Sequence, residues 1–235
     1  MDVAEVMTRL EALGSAQTKK THLNHGAVEP LFGVKVGDLK PIVKKIKTNQ
    51  PLASRLYATG NSDAMYLAGL IADPKTIGRD ELERWAKTAS WHMISEYTVA
   101  WVAAESPHGW DMGLRWIDAS EPHVQSSGWA TLACVVQMAP DDELDLPKLR
   151  QLLARVEKEL HGAANRVRYT MNGFVISVGC YVTPLSETAR KIGVALGKVE
   201  VNVGKTACKV PSAPEYIDKV AGMGRLGKKR KEVRC

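Results

Sequence analysis

We predict an all-α protein in which short antiparallel helices stack in pairs. Apolar residues recur at helical spacing in successive segments of about 10–20 residues, and glycine, proline or capping residues separate these segments. No strand-like alternation is convincing before about residue 197. No fixed sequence period is visible, so the repeats should be structural and degenerate, as in a HEAT-like α-solenoid. A compact, non-repeating helical bundle is the alternative fold.

The N-terminal part of the sequence supplies the first helices of this series. An amphipathic first helix is indicated by apolar residues at helical spacing, namely Val3, Val6, Met7, Leu10 and Leu13. The segments LKPIVKKIKT, PLASRLYATG and NSDAMYLAGLIADP follow. The second starts with proline and ends with glycine, while the third starts with cap-forming residues and stops before Pro74. These are the residues expected at helix boundaries.

The middle of the sequence continues the pattern. Helices are predicted in GRDELERWAKTAS, WHMISEYTVAWVAAES, HGWDMGLRWIDAS, EPHVQSSGWATLACVVQMAP, LPKLRQLLARVEKELHG, AANRVRYTMNGFVISVGCYV and PLSETARKIGVALGKV. Their short connections favour antiparallel neighbours. A stack of such pairs curves, and its concave face is the natural binding surface.

The sequence changes character at Val199. Val199, Val201 and Val203 alternate with polar residues, prolines follow, and one short helix is predicted near 214–222. We therefore predict a helical-repeat domain over residues 1–198. The C-terminal extension over residues 199–235 is expected to pack on that domain or to trail from it.

The composition is that of a globular chain with one sizeable core. Hydrophobic residues make up 45% of the sequence, and no apolar run approaches the roughly 18 residues of a membrane span. The acidic N-terminus lacks the basic start of a signal peptide. None of the cysteines forms a CxxC pair; they are Cys134, Cys180, Cys208 and Cys235. We predict reduced thiols, a cytoplasmic protein with no membrane contact, and no cysteine zinc site.

Positive charge is concentrated at the C-terminus. Residues 219–235 carry seven basic residues and one acidic residue, and the resulting +6 equals the net charge of the whole chain. Because this charge is uncompensated in the sequence, we predict that the tail GRLGKKRKEVRC binds phosphate backbones. The alternative is a solvated terminus that only aids solubility. The predicted phosphate contacts of the tail are Lys228, Lys229, Arg230 and Lys231.

Three segments resemble the AlkD-like family of DNA alkylation repair proteins, which are alkylpurine DNA glycosylases built from HEAT-like repeats. LFGVKVGDLKPIVKKI is similar to an early family segment in which a tight turn leads into a helix. LASRLYATGNSDAMYLAGLIAD is similar to the helix pair that follows, and includes Asp63. WAKTASWHMISEYTVAWV is similar to the helix with the family's catalytic motif, typically Ser-Trp-Trp-Asp-x-x-Asp. The resemblance covers roughly residues 28–197.

The resemblance implies a rewritten catalytic motif. Ser90 and Trp91 match its first two positions, whereas His92 stands in place of a catalytic tryptophan. Met93 occupies an acidic position, and Glu96 stands in place of the catalytic aspartate. The resemblance therefore points to Glu96 and His92 as catalytic candidates and to Trp91 as a substrate-binding ring.

Two later helices correspond to further site positions of the family. Phe174 falls at or near a second catalytic tryptophan. Where the family has a DNA-facing arginine, this chain has Ser127, Gly128 or Trp129, so no basic residue is available. The resemblance thus adds Phe174 and Trp129 as candidate substrate-binding rings.

His92 and Glu96 lie four residues apart, so a helix would place them on one face. We expect a hydrogen bond between them that favours the imidazolium form, and such a pair is suited to general acid–base chemistry. Two ligands alone do not make a metal site, and His108 or His123 would have to complete one. We predict neither a metal nor a cofactor. The alternative is a structural pair without chemistry.

The segment RVRYTMNG carries Arg166 and Arg168, which are candidate contacts to DNA phosphates; solvated arginines at a helix start are the alternative. The predicted function is a DNA-binding protein of the DNA alkylation repair type, with double-stranded DNA as the partner. It would be a DNA glycosylase that releases alkylated purines if the altered motif retains activity. The alternative is a non-catalytic helical-repeat scaffold that binds DNA structures or a protein partner.

Overall fold

The computed structural model describes residues 1–234, which form helices and connections without a strand. The α-helices are α1 (Val3–Leu13), α2 (Ala16–Asn24), α3 (Lys40–Ile46), α4 (Gln50–Tyr57), α5 (Ser62–Ile71), α6 (Arg79–Thr88), α7 (Ala100–Glu105), α8 (Gly109–Trp116), α9 (Pro122–Met138), α10 (Leu146–Glu159), α11 (Asn165–Tyr181), α12 (Ser186–Leu196) and α13 (Ala213–Gly222). A π-helical segment, Met93–Val99, leads directly into α7. Short 3₁₀ turns lie at Val36–Leu39, Asp141–Glu143, Leu160–Gly162 and Thr183–Leu185. The predicted all-α class is confirmed.

The helices form two rows. The inner row runs from α5 through the π segment and α7 to α9 and α11, with successive members in contact. Most residues of α5, α9 and α11 are buried, because each has neighbours within the row and an outer helix behind it. The outer helices, such as α6 and α10, bury only one stripe. This is the burial expected of stacked helical pairs.

The core consists of two hydrophobic clusters that meet at α9. The N-terminal cluster contains Trp85 and Trp116, whereas the C-terminal cluster contains Trp129 and Phe174. Helix α9 contributes Cys134 to the first and Trp129 to the second. Its length of 17 residues allows this, since it is buried along almost its whole extent.

The last residues return along the C-terminal ends of the inner helices, and we call residues 225–234 the C-terminal strap. The Gly227 amide donates to the Cys180 carbonyl at 2.9 Å, and the Arg230 amide donates to the Gln137 carbonyl at 2.8 Å. Val233 is 2% exposed and belongs to the N-terminal cluster. The strap is therefore anchored on the stack at Gly227, Arg230 and Val233.

Two basic residues of the strap are ion-paired, so the tail charge is compensated in part and the prediction of a wholly uncompensated tail is wrong. Lys229 pairs with Asp141 at 2.8 Å, and Arg234 pairs with Glu105 at 2.8 Å. The carboxylates come from distant parts of the sequence, so the composition of the tail alone cannot show the pairing. Among residues 1–234, no helix combines the length and apolar character needed to cross a bilayer.

Candidate functional site

The segment SWHMISE does not form the regular α-helix that its spacing predicts. A π-helix covers Met93–Val99, with His92 just before it and α7 directly after it. The wider π turn changes the angle between successive side chains, and such segments are frequent at functional sites. Ser95 and Glu96 are buried beside α9 and α11, whereas His92 reaches a groove at the start of these helices.

Glu96 lies at the centre of the site and is only 6% exposed. Its Oε1 accepts hydrogen bonds from Arg166 Nε at 2.8 Å and from Ser126 Oγ at 2.9 Å, and its Oε2 accepts from Arg166 Nη2. Burial raises the pKa of the Glu96 carboxyl, while the bonds from Arg166 and Ser126 oppose that rise. The carboxylate is thus held in a bidentate pair under a guanidinium.

Arg166 is placed by the first turn of α11 and closes over Glu96 from the groove side. Its guanidinium carbon also lies 4.3 Å from the centre of the Tyr169 ring. About a quarter of the Arg166 side chain remains exposed, compared with 3% of the Glu96 side chain. Any molecule entering from the groove therefore meets the guanidinium before it meets the carboxylate.

The expected hydrogen bond between His92 and Glu96 is wrong. Both carboxylate oxygens of Glu96 bond elsewhere, and the His92 ring instead packs edge-on against Trp91, with 5.0 Å between ring centres. Burial, followed by the charge of Arg166 and the presence of His25, lowers the pKa of His92 to about 4. The imidazole is neutral at physiological pH, so the predicted imidazolium is wrong as well.

A groove of about 850 Å³ opens at the N-terminal ends of α9 and α11. Trp91, His92 and Arg166 line its floor, and residues 202–205 and the end of α2 form its far wall. Trp91 is partly buried and packs against His22, with 5.6 Å between ring centres. Trp91 therefore lies on the groove, and its role as a substrate-binding ring stays a prediction.

A second cavity of about 300 Å³ lies on the inner face, which is the surface of the inner row opposite the outer helices. Glu96 lines it from below, so the Glu96–Arg166 pair separates this cavity from the groove. We call it the aromatic pocket; its ring-bearing lining residues are Tyr97, Trp101 and Tyr169. Gly173 of α11 and Arg230 of the strap complete its rim.

The model of a family described as DNA alkylation repair enzyme matches residues 6–188. The chain belongs to that family. It is 35% identical over 218 residues to an uncharacterised protein of Listeria innocua and, equally, to one of Listeria monocytogenes. Each match covers 90% of this chain and 94% of the relative. The AlkD-like resemblance predicted from the sequence is confirmed.

A solved structure supports both the family and the fold. It is described as a new family of proteins related to the HEAT-like repeat DNA glycosylases with affinity for branched DNA structures. It shares 41% sequence identity with this chain, superposes with a TM-score of 0.91, and the match covers 100% of both chains. The predicted HEAT-like α-solenoid is therefore confirmed over the compact bundle.

Two of the substrate-binding rings predicted for the present chain are buried in its own core. Trp129 and Phe174 are each 0% exposed and pack edge-on against one another, with 5.3 Å between ring centres. Both belong to the C-terminal hydrophobic cluster beneath the inner face. Their assignment as substrate contacts is wrong, because neither residue has exposed surface for a base to contact.

The predicted DNA-binding residues fall into different environments. Arg166 is bound to Glu96, and Arg168 is partly buried with an unbonded Nε among the described residues. Lys229 is paired with Asp141, so it is not the free cation that the sequence predicted. Exposed side chains are found at Lys228, Arg230 and Lys231, and Arg230 also donates to Gln137.

The sequence does not predict the hydrogen-bond partners of the Glu96 carboxylate. Ser126 and Arg166 lie 30 and 70 residues away from it, and only the fold brings them together. The sequence pattern predicts Arg166 only as a contact to DNA phosphates. The position of Arg166 at the start of a buried helix could have indicated an acidic partner. A cation at a helix N-terminus is not stabilised by the helix dipole, so it tends to pair with a carboxylate.

Proposed function

We propose that this protein binds branched DNA and does not hydrolyse the glycosidic bond of alkylated bases. The observation that carries the proposal is the bidentate pair between Glu96 and Arg166. The related solved structure, whose description names affinity for branched DNA, supports the choice of ligand.

Glycosidic hydrolysis needs a carboxylate close to the sugar, because positive charge develops there in the transition state. Glu96 is covered and neutralised by a guanidinium instead. A cationic alkylated base approaching from the groove would meet the positive charge of Arg166. His92 provides a small neutral ring where the family has an indole, and so contributes little to holding such a base.

The DNA-binding part of the proposal draws support from an exposed basic segment beside the groove. Residues 35–47 contain a single acidic residue and five exposed lysines, Lys35, Lys40, Lys44, Lys45 and Lys47. Within this segment Leu39 lines a narrow cleft together with Trp91, so its position adjoins the groove. Such a segment is suited to phosphate contacts along a duplex arm.

The double-stranded partner predicted from the sequence corresponds to the arms of a branched ligand. A cytoplasmic location remains a prediction, which cell fractionation would test. A protein partner remains a prediction, which co-purification with and without nuclease treatment would test.

The proposal is tested by two assays on the full chain. In gel-shift titrations we expect tighter binding to a four-way junction than to a linear duplex of the same length and sequence. In a base-release assay on DNA carrying mixed alkyl lesions we expect no release above buffer. Release of a methylated purine would refute the non-catalytic proposal, and equal affinity for junction and duplex would refute the branched ligand.

A further inference from the structure

Two half-buried tyrosines, neither of which stands at a position of the glycosylase motif, present their rings on the inner face. Tyr97 comes from the π segment and Tyr169 from the second turn of α11. Both line the aromatic pocket, on the side of the Glu96–Arg166 pair away from the groove. Aromatic rings that line a cavity are typical of ligand sites, so this pair marks the pocket as a candidate site.

Packing beneath the pocket fixes the orientation of these rings. Tyr97 contacts Trp101 edge-on, with 5.4 Å between ring centres, and Trp101 in turn contacts Tyr66 edge-on at 6.1 Å. Arg166 lies against the Tyr169 ring at 4.3 Å. Because the supporting side chains are buried or ion-paired, the pocket is preorganised, which lowers the cost of binding.

Small side chains beside the two tyrosines keep the cavity open. Ala130 and Ala133 of α9 and Gly173 of α11 line it, and an added Cβ at Gly173 would have no heavy atom within 4 Å. The volume of about 300 Å³ is at the lower end for small-molecule sites. A flat ring system the size of a nucleobase is a suitable occupant.

The polar groups of the pocket favour a ligand that is recognised by its ring faces. The Gln137 amide donates to Ser177 at 3.1 Å and accepts from Arg230 at 3.1 Å, so both of its ends are engaged. Thr170 donates within its own helix. Because Gln137 and Thr170 are engaged in this way, the pocket presents mainly the stacking faces of Tyr97 and Tyr169.

We propose that the aromatic pocket holds an unstacked nucleobase at the branch point of the DNA. This inference rests on the proposed function. Bases inside a linear duplex have both faces covered by their neighbours, whereas a branch point interrupts stacking and exposes a base face. Stacking of that base in the pocket distinguishes branched from linear DNA without base-edge contacts, so affinity should depend little on which base stands at the junction.

Gly173→Leu is the most direct test, because it adds a side chain to the pocket lining from a position where the new Cβ has no heavy atom within 4 Å. We expect about 5- to 150-fold weaker junction binding, the range of one lost base–aromatic stack, with linear-duplex affinity unchanged. Gly222→Leu is the matched control: it also adds a side chain to a helical glycine with no atom within 4 Å of the new Cβ, but on α13 outside the pocket. Tyr97→Leu should have the same effect as Gly173→Leu.

Fluorescence of 2-aminopurine at the branch point gives an independent measurement. We expect the wild-type protein and Gly222→Leu to change its emission, and Gly173→Leu to leave it close to that of free DNA. If the wild type shows no preference for junctions, the proposed function itself fails. If the preference and the fluorescence change persist in both pocket variants, the branched-DNA function stands and the pocket assignment is refuted. Thermal unfolding confirms that each variant is folded.

Discussion

Arg166→Met tests whether the guanidinium holds Glu96 as an ion pair. The substitution keeps a long apolar stem but leaves the Glu96 carboxylate, 6% exposed, with Ser126 as its remaining hydrogen-bond partner. Removing one member of a buried pair typically costs about 3–5 kcal/mol, because an uncompensated charge remains. Since a quarter of the Arg166 side chain reaches solvent, we expect the lower end, about 3 kcal/mol at pH 7.5.

The loss should depend on pH with a defined sign. Burial already raises the pKa of Glu96, and loss of Arg166 removes the strongest opposing contribution. A carboxyl whose pKa is higher in the folded than in the unfolded state binds more protons when folded, so stability falls as pH rises through that window. The cost of Arg166→Met should therefore be smaller at pH 5 than at pH 7.5.

Urea denaturation at both pH values measures this effect, and a double-mutant cycle isolates the pair. Glu96→Gln combined with Arg166→Met should be more stable at pH 7.5 than Arg166→Met alone, because the buried charge is gone. Arg190→Met is the matched control, since Arg190 forms a bidentate pair with Asp218 at the surface, and we expect little change. Additive losses with no pH dependence would refute an ion pair at Glu96.

One substitution and one deletion test the frame around the site. Lys47 follows the last residue of α3 and has φ 60° and ψ −146°, a conformation that favours glycine. Lys47→Gly should therefore raise the free energy of unfolding by about 1 kcal/mol, measured by urea denaturation. A lower urea midpoint would contradict backbone strain at this residue. Deleting residues 225–235 removes buried Val233 and the pair of Arg234 with Glu105, and should cost about 2–4 kcal/mol in thermal or urea unfolding. An unchanged midpoint after the deletion would restore the interpretation of the tail as a solvated terminus.

The sequence predicted helices well where local pattern decides them. Asn61 and Asp145 cap their helices as such residues should, and the amphipathic stripe of Val6 and Leu10 faces the core. Burial within the inner row was not predictable in the same way. Trp129 and Phe174 have apolar neighbours in the sequence whether they line a groove or a core, so only packing decides between the two.

The candidate site depended on distant contacts that one sequence does not contain. His92 and Glu96 have the spacing of a hydrogen-bonded pair, but Arg166 competes for the carboxylate with a bidentate geometry that an imidazole cannot match. The π segment adds a second reason, since no composition rule distinguishes it from an α-helix. The residue types at the site were thus recognised, and their partners were not.

The C-terminal strap changes how a solenoid of this kind is expected to unfold. Arg234 donates to the carbonyls of Gly69 and Ala72 at the end of α5, the first helix of the inner row, while Gly227 is bonded at the end of α11, the last helix of that row. Open repeat stacks can fray from either terminus, because each repeat contacts only its neighbours. Here the strap connects the first and last helices of the inner row, α5 and α11. Native-state hydrogen exchange should therefore show the first and last inner helices opening together, and cutting the strap should let them open separately.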